Sequence, residues 1–226
     1  MEYGKASTEA FVQYEAEAAI LKVYGSETLD YIVDEMVQIM GGMGFSSEMP
    51  ADRAFRDSRI NRIFEGTNEI NRLWISDTVV KRGHKHKIEI FEQAGKIMKE
   101  LGNIPQYKSK GYFEDKAHCI QNFKKIVMMI VQAASNKFGK KMSHEQEILN
   151  NLADVVTLTY VAESTMLRVK KMDSVEIPVD ISFYRDILDV FVLDTADTIR
   201  KYALEAIYAL DAEEDINKYA QAIDHY

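Results

Sequence analysis

The sequence predicts an all-α protein of antiparallel helical bundles. Apolar residues recur in steps of three and four over long stretches, the spacing that gathers them on one helix face. The 226 residues contain only three prolines and eleven glycines, so few positions can interrupt a helix. No stretch alternates strictly between apolar and polar as a half-buried strand does, and no short-period repeat is present.

The elements follow in order. A helix from about Thr8 to Tyr24 is expected to stop at Gly25, where glycine can take the left-handed conformation that ends many helices. Ser26 is then the expected N-cap of a second helix reaching about Met40, with Leu29, Ile32, Val33, Met36 and Val37 on one face. Gly41-Gly42-Met43-Gly44 ends it, a bend runs through Pro50, and Ala51 to Ile60 suits a short helix. Thr67 is the expected cap of a helix from Asn68 to about Lys81, which carries Ile70, Leu73, Trp74 and Ile75. Gly102 to Gly111, with Pro105 and several polar residues, reads as the main internal boundary, dividing the chain into residues 1–101 and 102–226. Beyond it a helix from Tyr112 to Phe138 stops at Gly139, and Ser143 with Gln146 has capping-box spacing. Ile148, Leu152, Val155, Thr159, Ala162, Met166 and Val169 form the next stripe. After Pro178, Leu188, Val192, Thr195, Ile199, Ala203, Ala206 and Leu210 form the last, a pattern of packed bundle helices.

Composition excludes several functions. With 28 basic and 36 acidic residues the formal net charge is −8, so no basic surplus exists to displace counterions from nucleic acid. The single cysteine, Cys119, excludes an intrachain disulfide framework and a multi-cysteine metal site, and in a helical pattern it reads as a packing residue. His84-Lys85-His86 lacks a carboxylate or cysteine cluster and reads as solvated, so no metal site is expected. The N-terminus lacks a signal-peptide profile, and the longest apolar stretch, around Ile126 to Ala134, is far short of the ~20 residues of a membrane span. Lys108 and Lys110 beside Tyr107 and Tyr112 could touch a membrane or an acidic partner. Interleaving with Glu114 and Asp115 makes a polar loop the preferred reading, so membrane association has weak support.

The informative region is Gln38 to Gly83. In Ile63-Phe64-Glu65-Gly66-Thr67 an isolated glutamate lies among apolar side chains. Desolvation there would raise its pKa toward the range of a general base, but on spacing alone its place before a helix start favours a plain interaction with the helix dipole. The Gly41–Gly44 glycines either terminate a helix or expose backbone N–H groups to a phosphate. Their spacing is not the dinucleotide fingerprint, and no strand precedes them.

Gln38-Ile39-Met40-Gly41-Gly42-Met43-Gly44-Phe45, Glu48-Met49-Pro50, Arg56-Asp57-Ser58-Arg59-Ile60 and Ile63-Phe64-Glu65-Gly66-Thr67-Asn68-Glu69-Ile70 together resemble the C-terminal helical domain of acyl-CoA dehydrogenases. The Gly-Gly-Met-Gly-Phe wording and the phenylalanine before the glutamate look most like the very-long-chain branch, which carries an appended C-terminal helical domain and associates with membranes through it. Asn151-Leu152-Ala153-Asp154 is similar to that appended domain. The resemblance implies α,β-dehydrogenation of a fatty acyl-CoA with FAD. It makes Glu65 the base that takes the α-proton, with its backbone N–H helping to hold the thioester carbonyl. It sets Gly66 beside the substrate and Thr67 and Glu69 near the flavin nucleotide. Glu69 stands where some members have glutamine. Gln38, Gly41 and Gly42 match a segment that contacts the adenine-diphosphate part, commonly from the neighbouring subunit. It further implies a homodimer that passes electrons to an electron-transfer flavoprotein, cytoplasmic in a bacterium and mitochondrial in a eukaryote. Complete members carry an N-terminal helical domain and a middle β-domain, so the chain is expected to be a fragment without activity alone. The alternatives are a non-catalytic helical interaction module or one chain of a split enzyme.

Overall fold

A computed structural model describes residues 2–85, 88–100, 106–175, 180–210 and 216–226. Among them every regular element is helical. They form two compact units, Met1–Val79 and Val80–Tyr226.

The first unit holds α1 (Glu2–Gln13), α2 (Glu15–Met40), α3 (Gly42–Phe45), α4 (Pro50–Arg59) with a 3-10 turn at Ile60–Arg62, and the start of α5 (Asn68–His84). The first helical break is at Tyr14 (φ −107°, ψ 17°), not at the expected Gly25, and α2 runs through Gly25 and Ser26 without interruption. Ser26 is no cap. Its buried hydroxyl donates to the Val23 carbonyl (3.0 Å), a helical back-bond that leaves its oxygen facing α5. α2 buries Ala16, Ala19, Ile20, Val23 and Val33, and α4 packs across it through Ala51. Of the apolar face expected there, Val33 is buried and Met36 and Val37 half-buried, while Leu29 and Ile32 are 40% and 55% exposed within this unit.

α2 ends at Gly41 (φ +60°, ψ −144°), a combination that only glycine adopts without strain. Gly44 is confined differently. A Cβ there would lie 2.7 Å from the Val37 carbonyl oxygen, so the chain folds back onto α2 only because the side chain is absent.

The second unit contains α6 (Ile90–Glu100), α7 (Tyr112–Phe138), a 3-10 turn at Gly139–His144, α8 (Gln146–Asp173), α9 (Ile181–Ala209) and α10 (Ile216–His225). Every position of the two predicted stripes is buried, from Ile148 to Val169 on α8 and from Leu188 through Leu210 at the end of α9. Side-chain bonds give the register. Lys124 pairs with Glu163 (2.5 Å) and Arg185 with Asp173 (2.8 Å), so α8 runs antiparallel to both α7 and α9. Tyr112 donates to the Arg185 carbonyl (2.9 Å) while Lys137 reaches the Leu210 carbonyl, so α7 and α9 run in the same direction. Arg200 with Asp224 (2.7 Å) fixes α10 along α9. Burial and the Asp189 acceptor push the Tyr112 phenol up to about 12.

Gly139 ends α7 as expected. The Ser143–Gln146 capping box does not form, because a 3-10 turn takes Ser143 and leaves Glu145 before α8 with no side-chain cap. Asp180 caps α9 instead, accepting from the Ser182 N–H (3.0 Å). α6 and α10 have no counterpart among the expected elements. α6 packs on α7, so the compact units part ahead of the expected boundary at 102–111, of which 102–105 lie outside the described residues, as do His86 and Pro178. The apolar Ile126–Ala134 stretch is core of α7, and among the described residues no helix is long and apolar enough to cross a membrane. Cys119 is half-buried on the same helix.

The loop carrying Lys108 and Lys110 is bound to its own helix. Asp115 accepts from the Tyr107 hydroxyl (2.8 Å), the Ser109 hydroxyl (2.6 Å) and the Lys110 N–H (3.0 Å), and the Tyr107 ring stacks on His118 at 3.7 Å. The Ser109 hydroxyl, the Lys110 N–H and the Tyr107 hydroxyl, in that order, hold the Asp115 carboxyl down to about 2.

Two outcomes follow. The buried Thr157 hydroxyl has no partner among the described residues, so Thr157→Val should raise stability by about 1 kcal/mol in urea unfolding; a loss of stability would show that the hydroxyl is satisfied. Because the folded pKa of Asp115 is depressed, its contribution is full above the unfolded value of about 4 and lost as pH falls through about 2. The Tyr107 ring resonances should move off His118 in that window by NMR, and Asp115→Asn should remove the transition.

Candidate functional site

Between the 3-10 turn and α5 the chain makes a turn in which two consecutive residues have left-handed backbone, Glu65 (φ +54°) and Gly66 (φ +80°). Among the described residues Glu65 is the one non-glycine with positive φ. A side-chain-bearing residue there costs roughly 1–2 kcal/mol and persists only where its surroundings enforce it.

The enforcement comes from two helices. Asn71 on α5 donates through Nδ2 to the Gly66 carbonyl (2.8 Å) and the Thr67 carbonyl (3.1 Å). Lys22 on α2 donates to the same Gly66 carbonyl (2.7 Å) and to Asn68 Oδ1 (2.7 Å). Asn68, 1% exposed, donates to Ser26 Oγ (2.9 Å) and Glu27 Oε1 (3.0 Å). Arg72 holds Glu27 with two bonds, at 2.8 and 2.9 Å, and Arg62 holds Asp30 at 2.8 Å. Every polar atom of the Asn68 amide is thus satisfied, which turns a costly buried group into a fastener.

Thr67 caps α5 as expected, its oxygen accepting from the Ile70 N–H (3.3 Å). Glu69 is exposed, and its carboxyl is held below its ordinary range by its own backbone N–H and then by the Thr67 hydroxyl. An ionised carboxylate in that position accepts from hydroxyl groups and repels phosphate.

The expected desolvation of Glu65 is absent in this unit. Glu65 is exposed, and its neighbours Ile63 and Phe64 are 49% and 48% exposed. Ile70 and Trp74, on the helix that follows, are exposed as well. A Cβ on Gly66 would lie 3.1 Å from Asn71 Nδ2, which adds a steric reason for glycine to its positive φ.

Gln38, Gly41 and Gly42 lie exposed at the far end of α2, about 24 Å (Gln38) to 28 Å (Gly41) along its axis from Lys22, which holds the turn. The turn and these glycines therefore do not form one cluster. Gly41 ends the helix. Gly42 has no positive φ, and a Cβ added to it would meet no atom within 4 Å among the described residues, so nothing in this unit requires glycine there. Open backbone of this kind suits close approach by a ligand or another chain. Among the described residues no group of histidine, cysteine or carboxylate side chains could hold a metal, and the exposed His84 stacks on Phe91 at 4.6 Å.

Two profiles, each described as the C-terminal domain of acyl-CoA dehydrogenase, match residues 2–80 and 122–223. The chain carries acyl-CoA dehydrogenase C-terminal domains and belongs to that family. It is 38% identical over 221 residues to a probable acyl-CoA dehydrogenase of Bacillus subtilis, covering 97% of this chain and 37% of that protein. The human very long-chain specific acyl-CoA dehydrogenase is 54% identical over 63 residues, 28% of this chain and 10% of that protein. The human short-chain specific enzyme is 48% identical over 65 residues, 29% of this chain and 16% of that protein. A crystal structure of an acyl-CoA dehydrogenase from Bacillus anthracis, complexed with FAD, superposes with a TM-score of 0.91 at 36% identity, covering 98% of this chain and 38% of that one. The chain thus spans less than two-fifths of the length of these acyl-CoA dehydrogenases.

Sequence reasoning does not find Lys22, Glu27, Asn68, Asn71 and Arg72. Their signal lies in the four-residue steps Lys22–Ser26–Asp30 along α2, a polar stripe beside the apolar one, which a helix end at Gly25 would interrupt.

The strained backbone gives a direct test. Glu65→Gly should be more stable than Glu65→Ala by about 1 kcal/mol in chemical denaturation, since glycine alone takes φ +54° without strain. Equal stabilities would show that the turn relaxes.

Proposed function

We propose that the chain supplies the catalytic base and part of the cofactor surface of a flavin-dependent acyl-CoA dehydrogenase acting on fatty acyl-CoA thioesters. The observation that carries this reading is the exposed Glu65 carboxylate on a left-handed turn pinned by a buried polar network. Such strain is kept where it aims a functional group.

The α-carbon beside a thioester is a weak acid. Its C–H bond breaks, the proton goes to the Glu65 carboxylate, and the electron pair forms the Cα–Cβ double bond as the β-hydrogen leaves as hydride. The Glu65 N–H, donating to the thioester carbonyl, stabilises charge as it develops on oxygen. Gly66, lacking a side chain, leaves room for the thioester beside that carboxylate. The apolar side chains of Ile63, Phe64, Ile70 and Trp74 fit an acyl chain, whose binding would remove water from the base.

FAD, when bound, supplies the hydride acceptor. Thr67 and Glu69 would meet hydroxyl-bearing parts of it, in keeping with an ionised carboxylate. The open backbone of Gly41 and Gly42, with Gln38, would meet the adenine-diphosphate part. The distance of about 24–28 Å between the two groups supports contact with the FAD of a neighbouring copy, hence a homodimer in the complete enzyme. Electron-transfer flavoprotein is the proposed electron acceptor, and the compartment is the cytoplasm of a bacterium or the mitochondrion of a eukaryote. The very-long-chain branch is proposed on the wording around Gly41 and Phe64, and the domain division at 102–111 on the appended segment.

The decisive experiment grafts this chain onto the remaining domains of the Bacillus subtilis relative and follows acyl-CoA-dependent reduction of a dye. Given turnover by the graft, Glu65→Gln should lower kcat at least a thousandfold while FAD stays bound. Activity within tenfold of the parent would remove Glu65 from the role. Turnover by the ungrafted chain with added FAD would show that it needs no other domain.

A further inference from the structure

The turn is held by more than is needed to begin α5. Thr67 already caps that helix, yet the Gly66 carbonyl receives two further donors, an ammonium from α2 and an amide from α5. Asn71 Nδ2 also reaches the Glu65 carbonyl (3.4 Å), and the peptide that carries that carbonyl joins the left-handed Glu65 to Gly66, so the donors on residues 65 and 66 hold the turn on the C-terminal side of Glu65. If those bonds are lost, the turn is free to relax from its left-handed backbone, and the Glu65 carboxylate and N–H lose their fixed direction.

We propose that Lys22 and Asn71 are positioning residues, which pin the Gly66 carbonyl from two helices and so hold the Glu65 carboxylate and N–H where the reaction needs them. This rests on Glu65 as the base. Lys22 does more than donate. Its other bond, to Asn68 Oδ1, joins it to an amide that is 1% exposed and in turn bonded to Ser26 and Glu27, so moving its ammonium leaves that buried oxygen only the longer contact from the Ser26 hydroxyl (3.3 Å). A charge-assisted bond of 2.7 Å to a backbone carbonyl also draws electron density from the peptide. Asn71 supplies the second constraint at 2.8 Å and bridges on to the Thr67 carbonyl, tying the turn to the first coil of α5. A loss of about 1 Å in aim at such a group costs rate rather than binding.

The test has two arms. In the full chain, Lys22→Met should speed amide hydrogen exchange at residues 65–69 at least tenfold and shift the Gly66 carbonyl resonance, with α8 and α9 unchanged. Lys22→Arg, which keeps the charge and donors, should restore most of the protection. In the FAD-loaded graft, Lys22→Met should lower kcat at least tenfold with KM within threefold, and raise the isotope effect of α-deuterated acyl-CoA. A variant that merely lost folded enzyme would leave that isotope effect and KM unchanged. Should Lys22→Met fail to fold, Asn71→Ala removes the other donor and carries the same expectations. If Glu65→Gln abolishes turnover but Lys22→Met and Asn71→Ala keep kcat, KM and isotope effect, the positioning role is wrong and the base assignment stands. If Glu65→Gln retains turnover, the base assignment itself fails.

Discussion

The buried amide of Asn68 is the constraint on which the rest of the first unit depends. An amide at 1% exposure would cost several kcal/mol if left unpaired, and its partners come from a different part of the chain. Lys22, Ser26 and Glu27 must therefore lie on one side of α2 and face the start of α5. That requirement explains why α2 runs straight through Gly25. A helix end there would throw Lys22 and Ser26 out of register, and the amide would lose its donor and acceptor together. The helical cost of an interior glycine, about 1 kcal/mol, is small against that loss.

The same fastener accounts for the left-handed Glu65. The positions of Asn68 and of the 3-10 turn at Ile60–Arg62 are set by bonds to α2, Asn68 through Lys22 and Ser26, Arg62 through Asp30. Few residues remain to connect them, and the chain must reverse within that span. Gly66 absorbs part of the reversal at no cost, and Glu65 absorbs the rest at a cost that the Lys22 and Asn71 bonds offset. Strain at the carboxylate is therefore a consequence of tight fastening on either side.

How much of this is legible in the sequence follows from the range over which each feature is encoded. The bundle helices α8 and α9 can be read residue by residue, because burial on one face repeats locally: each of Ile148, Leu152, Val155, Leu188, Val192 and Ile199 is buried where the spacing sets it. The Thr67 cap and the Gly139 stop are equally local, each decided within one turn of helix. Gly25 and Ser26 mislead because their local preference, ending and starting a helix, is overruled by partners more than forty residues away. The Ser143–Gln146 spacing misleads for a related reason, since a 3-10 turn after Gly139 already occupies Ser143. Glu65 and Gly66 are marked by their wording, but their conformation and the residues that hold it are not, as no spacing rule relates Lys22 to Gly66.

The exposure of Glu65 sharpens what the site needs in order to work. A carboxylate in water is a poor base toward carbon, since its hydration must be removed before it can take the proton. In the first unit the apolar side chains at 63, 64, 70 and 74 are exposed, and so is Glu65 itself. Rigidity and dryness are thus supplied separately. The network of Lys22, Asn68 and Asn71 provides the first within the fold, before any ligand arrives. The second has to come from an apolar surface laid over the turn, and in the proposed reaction an acyl chain would provide it as the α-carbon reaches the carboxylate. In the proposed reaction, a base arranged in this way would be aimed in advance and activated by the substrate that it attacks.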